Sequence, residues 1–166
     1  MNINYPVLSM RAEAYFVKNP LEMTNSYTKT TAEDASDVLA LNGKLSLDEL
    51  KNSLRGYDFT SVSTYELAKV GSLLRENGLI DNYVSIIFTS GSMATDDNGH
   101  QAGADVKFNA IAMLNQMLEE RLEHGATEAA GFHEFTKGLI RANHVLGALS
   151  YFASSVQSDL SISIQA

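Results

Sequence analysis

The chain contains no cysteine, which excludes a disulfide framework, a thiolate zinc site and a cysteine nucleophile. Long apolar runs are missing as well. No window offers the roughly 18 consecutive apolar residues of a membrane-spanning helix. The stretch from Ala142 to Ser158 comes nearest, and Asn143, His144 and several serines break it. Positive charge is scarce: 12 Lys and Arg stand against 20 Asp and Glu, a formal net charge of -8. Sequence-independent nucleic-acid binding draws most of its affinity from Lys and Arg on phosphates, and anionic membrane surfaces attract polybasic segments. An acidic chain suits neither, so the expected partners include no nucleic acid and no membrane. The N-terminus, Met1-Asn2-Ile3-Asn4-Tyr5-Pro6, has neither the basic region nor the apolar run of a signal peptide. A cytoplasmic protein is the expectation, with export lacking a cleavable signal as the alternative.

Catalytic and cofactor signatures are also absent. The chain holds no Gly-x-x-x-x-Gly-Lys phosphate loop, no Gly-x-Gly-x-x-Gly fingerprint and no Gly-x-Ser-x-Gly elbow. No cofactor is therefore expected. None of the four histidines, His100, His124, His133 and His144, stands three or four residues from another, so no helix face offers a two-histidine metal pair.

What the sequence does have is apolar periodicity. Phe132, Phe135, Leu139, Ala142, Leu146, Leu149, Ala153 and Val156 recur at alternating spacings of three and four, a heptad seam. No charged residue falls between Ala142 and Ser158, so the other faces of this helix are poorly equipped to meet water. Such a helix is buried in a bundle or against a partner. The expected interface is Ala142, Leu146, Leu149, Phe152, Ala153 and Val156. A second long helix is predicted from Ala104 to His124. Val106, Ala110, Met113 and Met117 form one line of it, and Ile111, Leu114, Leu118 and Leu122 the next. Gly125 supplies the stop and Thr127 the following cap, so the two helices form an antiparallel hairpin. Gly131, Gly138 and Gly147 each cost about 1 kcal/mol against alanine, which close approach of another backbone would explain.

Upstream the helix ends are marked. Thr30-x-x-Glu33, Ser46-x-x-Glu49 and Ser63-x-x-Glu66 fit the capping box, in which hydroxyl and carboxylate satisfy two orphan amides reciprocally. Gly43, Gly56 and Gly78 stand where stops belong. A helix over 48–55 and a better specified one over 64–77 follow, the latter with Leu79 folding back onto its last turn. The segment 81–89 reads as a short buried helix in preference to a strand. The pair of helices at 48–77 carries only Lys51, Arg55, Lys69 and Arg75 among its acids, which argues against a DNA-reading helix-turn-helix. The fold class expected is all-α: a helical bundle built on a long C-terminal antiparallel helix hairpin, with several short helices upstream. At 166 residues it forms one domain over 1–166, with an N-terminal arm at 1–29 and a C-terminal tail at 158–166.

One long polar stretch, 90–103, interrupts the helices, and loops of that length are functional or mobile. Within it Asp96-Asp97-Asn98-Gly99 has the look of a calcium loop. The ligand spacing would place Asp96, Asn98 and Asp105 at the third, fifth and twelfth positions. Ala94 then stands at the first with no ligand oxygen, and Gln101 at the eighth. Glu119, Glu120 and Glu123 are adjacent and expected to be solvated, and Met113 with Met117 to fill the core. Three readings of function follow. The leading one is a non-enzymatic protein-interaction protein, an adaptor or structural protein working as a homo-oligomer. The second is a metal- or ligand-regulated sensor using the 90–103 loop. The third is an enzyme whose site is assembled from distant residues.

Overall fold

A computed structural model describes residues 32–39, 45–124 and 130–164, with side chains for all but 32, 34, 124, 130–132 and 156–164. The chain is mostly helical. Helices α1 (Ala32–Leu39), α2 (Leu47–Ser53), α3 (Thr64–Glu76), α4 (Asn82–Ser90), α5 (Ala110–His124) and α6 (Ala130–Ile164) are joined by turns and a two-residue ribbon of β1 (Val62–Ser63) and β2 (Lys107–Phe108). Among the described residues no helix is long and apolar enough to cross a membrane.

Local chemistry fixes the upstream helix ends. At α2, Glu49 N donates to Ser46 Oγ at 3.2 Å and Ser46 N donates to Glu49 Oε2 at 2.8 Å. At α3 the same box closes between Ser63 and Glu66, at 3.2 and 2.7 Å. Each box satisfies two amides that a helix start leaves without carbonyl partners. Thr30 of the third expected box, the N-terminal arm and the stop at Gly43 lie outside the described residues. The end of α3 is a Schellman turn: Leu79 N donates to Leu74 O at 2.8 Å and Gly78 N to Arg75 O at 2.9 Å. That turn swings Leu79 back into the core. Asp81 then caps α4, accepting from Val84 N at 3.1 Å. The expected short helix is therefore present there, burying Val84, Ile87 and Phe88 and leaving Ile86 outside.

Helix α6 is the axis of the core, and α1, α2, α4 and α5 all pack on it, while α3 packs on α4. From Ala142 to Ala153 nearly every residue of α6 is buried, including Asn143 and Ser150. The uncharged stretch is thus answered within one chain. The residues of the expected interface are buried within the chain: Ala142 is 0% exposed, Leu146 2%, Leu149 0%, Phe152 0% and Ala153 4%. The helix that carries them is packed by α1, α2, α4 and α5 of the same chain. The Val156 side chain lies outside those described. The α6 backbone runs helically to Ile164, past residue 158 where a tail was expected. No glycine or proline follows Gly147, so nothing interrupts the local i to i−4 ladder, whereas the alternation of Leu160, Ile162 and Ile164 needs a partner strand to become one.

Helix α5 runs opposite to α6 where they touch. Asn143 Nδ2 donates to Leu114 O at 3.2 Å and Arg121 Nε to Thr136 Oγ1 at 2.8 Å, so position 143 faces 114 and 136 faces 121. The connecting residues, with Gly125 and Thr127, lie outside the described residues. Helix α5 begins at Ala110, six residues later than expected. Lys107 and Phe108 pair instead with Ser63 and Val62 in β1, and Ala110 N donates to Phe59 O at 3.0 Å. Asn109 Oδ1 caps the true start by accepting from Ala112 N at 2.9 Å. Val106, expected on the apolar face, is 61% exposed. The close approach expected of glycine is found at Gly138 in α6, where a Cβ would lie 2.8 Å from Tyr83 Cβ in α4.

Candidate functional site

The last turn of α3, the outer face of α4 and the loop after it enclose an open groove of about 700 Å³, lined by Arg75, Ile86, Thr89, Met93, Thr95 and Gln101 among others. Its walls follow from the local sequence. Burial of Val84, Ile87 and Phe88 rotates Ile86 outward, where it is 58% exposed. The chain leaves α4 through Gly91 at φ +53, and a Cβ there would stand 2.3 Å from Thr64 Cγ2. Only glycine fits this crossing of the start of α3. Ser92 N then donates to Thr64 Oγ1 at 3.1 Å.

From there the 90–103 segment folds back on itself. Ala102 N donates to Ala94 O and Asp96 N to His100 O, both at 2.8 Å, and Thr95 bridges Gln101 in antiparallel fashion. Gln101 Nε2 ties the hairpin to the end of α4 by donating to Ser90 O at 3.3 Å. Met93 stands at the entrance to this hairpin with φ +54, the one non-glycine residue with positive φ among those described, and is 46% exposed. A side chain in that region costs of order 1–3 kcal/mol and persists only where its surroundings enforce it.

The calcium candidates fall at the far end of the hairpin. Asp96 Oδ1 accepts from Asn98 N and from His100 N, each at 2.9 Å. These bonds hold the Asp96 carboxyl below its ordinary pKa, the His100 amide contributing most. The carboxylate thus closes a turn, a role that short Asp side chains fill readily. Asp96 and Asn98 share that turn, while Asp105 is exposed in a separate one after Gly103. The 94–102 stretch forms a hairpin, and Asp105 lies in the turn that follows it. No cluster of three or more His, Asp or Glu side chains suited to a metal occurs among the described residues.

A smaller cavity of about 270 Å³ lies between α1, α4 and α6, lined by Val38, Leu79, Val84, His144 and Val145. Asp81 and Arg141 close it with an ion pair at 2.6 Å. His133 is half-buried on α6 and His100 is exposed, so the histidines are dispersed; the His124 side chain lies outside those described. Of the three glutamates expected to be solvated, Glu120 and Glu123 are exposed, but Glu119 is buried at 7% with Asn115 at 1%. The turn of α5 that puts Leu118 in the core carries Asn115 and Glu119 in with it. Of the groove, the sequence pointed to the 90–103 loop that forms one wall, but not to its walls on α3 and α4. On α4 the sequence signal is Ile86, an apolar residue off the 84, 87, 88 face, and within the loop nothing local marks Met93. Compared with known proteins, the chain matches no family model, no curated protein and no solved structure.

Proposed function

We propose that the chain is a non-enzymatic protein-binding module of the cytoplasm, a bundle built on the α5–α6 hairpin that holds one preformed docking groove. The observation that carries this reading is Ile86 and Met93, 58% and 46% exposed on the walls of the same groove. Apolar surface left in water costs roughly 25 cal/mol per Å², and Met93 adds the strain of its backbone. Covering the groove recovers the first cost and uses the second, because a fixed loop loses little entropy on binding. Methionine also adapts its shape to an apolar partner. Self-association, on this reading, uses the groove face in place of the α6 seam.

The test uses Ile86→Asp and Met93→Asp, with Glu123→Lys as a control at the exposed end of α5. All three replace exposed side chains and should leave stability within about 0.5 kcal/mol. Light scattering gives the molar mass of each. A wild-type mass near twice 18.1 kDa that falls to the monomer in the two aspartate variants identifies the groove as a homo-oligomer face. For a monomeric wild type, crosslinking should capture a protein that both aspartate variants lose and the control keeps. Association that survives both aspartates would sink the reading.

A second reading is favoured by the same loop. Because the 93–101 hairpin forms one wall of the groove, a small ligand seated there would bias the hairpin and make the chain a sensor. The metal form of that reading predicts a higher melting temperature in millimolar calcium, and an unchanged one counts against it.

A further inference from the structure

We infer that Arg75 makes the groove selective for a partner segment that sets a carboxylate beside an aliphatic side chain. This rests on the protein-binding reading above and adds the chemistry of what is bound. Arg75 is the one ionisable side chain among the residues lining the groove. Three other cations are paired, Lys107 with Glu66, Lys137 with Glu134 at 3.2 Å and Arg141 with Asp81 at 2.6 Å, while Lys51, Arg55 and Lys69, which have no ion pair among the described residues, do not line the groove. Arg75 is exposed and has no ion-pair partner among the described residues, in a chain whose 20 acids outnumber its 12 bases. An unanswered cation in so acidic a chain stands beside Ile86, and the remaining named walls, Thr89, Thr95 and Gln101, are neutral hydrogen-bonding groups. The guanidinium fork matches a carboxylate bidentately, and the apolar wall takes the neighbouring aliphatic group. A volume of about 700 Å³ suits a short segment better than a single side chain.

A simpler role for Arg75 is to complement the dipole at the C-terminus of α3, where it sits in the last turn. That role predicts an effect on stability and none on selectivity. The two are separated with synthetic peptides, acetyl-Ser-Leu-Asp-Ser-amide and its Asn counterpart, followed through the Ile86 and Met93 methyl signals in millimolar NMR titrations. The wild type should bind the Asp peptide about three- to fivefold more tightly, the range of a partly exposed ion pair. Arg75→Gln should erase that preference while still binding both peptides through the apolar wall. Arg75→Lys, which keeps the charge and the dipole term, should retain only part of it. Equal binding of both peptides by the wild type overturns the carboxylate inference and leaves the groove reading standing. If neither peptide moves the methyl signals, the groove reading falls and this inference with it.

Discussion

Glu66 shows how much one side chain can hold in place. Its carboxylate accepts from the Ser63 amide at 2.7 Å, closing the cap of α3, and also from Lys107 Nζ at the end of the β ribbon. The Lys107 bond, ahead of the Ser63 amide, holds the Glu66 carboxyl below its ordinary value of 4.5. A folded-state pKa below the unfolded one adds stability that is present above about pH 4.5 and disappears as pH falls through the folded value. Both side chains are more than a third exposed, so solvent screens the pair and the contribution is modest. Glu66→Gln should therefore lower the urea midpoint at pH 7 and match the wild type at pH 2. A difference that persists unchanged at low pH would show that shape, not charge, is what Glu66 supplies. The cap at Ser63 was legible because its two members stand three residues apart. Lys107 was not, because a partner 41 residues away leaves no local spacing to read.

At the scale of elements, the sequence showed where helices start and stop wherever a capping residue enforced the boundary. It misplaced them where tertiary pairing did. Helix α5 lost its expected first turn and a half because Lys107 and Phe108 pair with β1, and backbone pairing at a distance carries no 3.6-residue signature. The fit of α4 against α6 was partly readable, since a glycine in mid-helix implies that something stands close. At Gly138 that neighbour is Tyr83. Alanine there gains about 1 kcal/mol of helix propensity, while a Cβ at 2.8 Å from Tyr83 Cβ forces the helices apart at a cost of about 1–3 kcal/mol. The clash outweighs the propensity, so Gly138→Ala should lower the melting temperature. An increase would mean that α4 can shift without loss. The candidate groove was the least legible feature. It is made from the end of one helix, the wrong face of another and a hairpin, and no single segment describes it.

For the molecule as a whole, the question posed by the α6 seam was whether it faces another chain or this one. Leu149 and Phe152 are 0% exposed inside a single chain, so a charge at either has no water to reach. Leu149→Asp should abolish folding, as read by circular dichroism, instead of releasing a folded monomer. Phe152→Ala should leave the fold intact but about 3–5 kcal/mol weaker in denaturant titration. A folded, monomeric Leu149→Asp protein would restore the seam as a surface between subunits. The periodicity told correctly that this helix is buried. It was silent on what buries it, because four short helices and a partner subunit answer the same apolar pattern equally well.

The position of α6 in the chain sets a timetable for synthesis. Helices α1, α2, α4 and α5 all rest on α6, and α6 is made after every one of them. At roughly 5–20 residues per second, a ribosome needs on the order of 5–20 s to pass from Leu39 to the first fully buried leucine of α6, Leu139. Throughout that interval the apolar faces of α1 and α2 have no native surface to close on. Helices α3 and α4, which pack on each other, and the β1–β2 ribbon can pair early. Until α6 clears the exit tunnel the nascent chain therefore exposes apolar surface that the folded chain buries, and a truncation ahead of α6 should leave α1 and α2 without the surface they pack on.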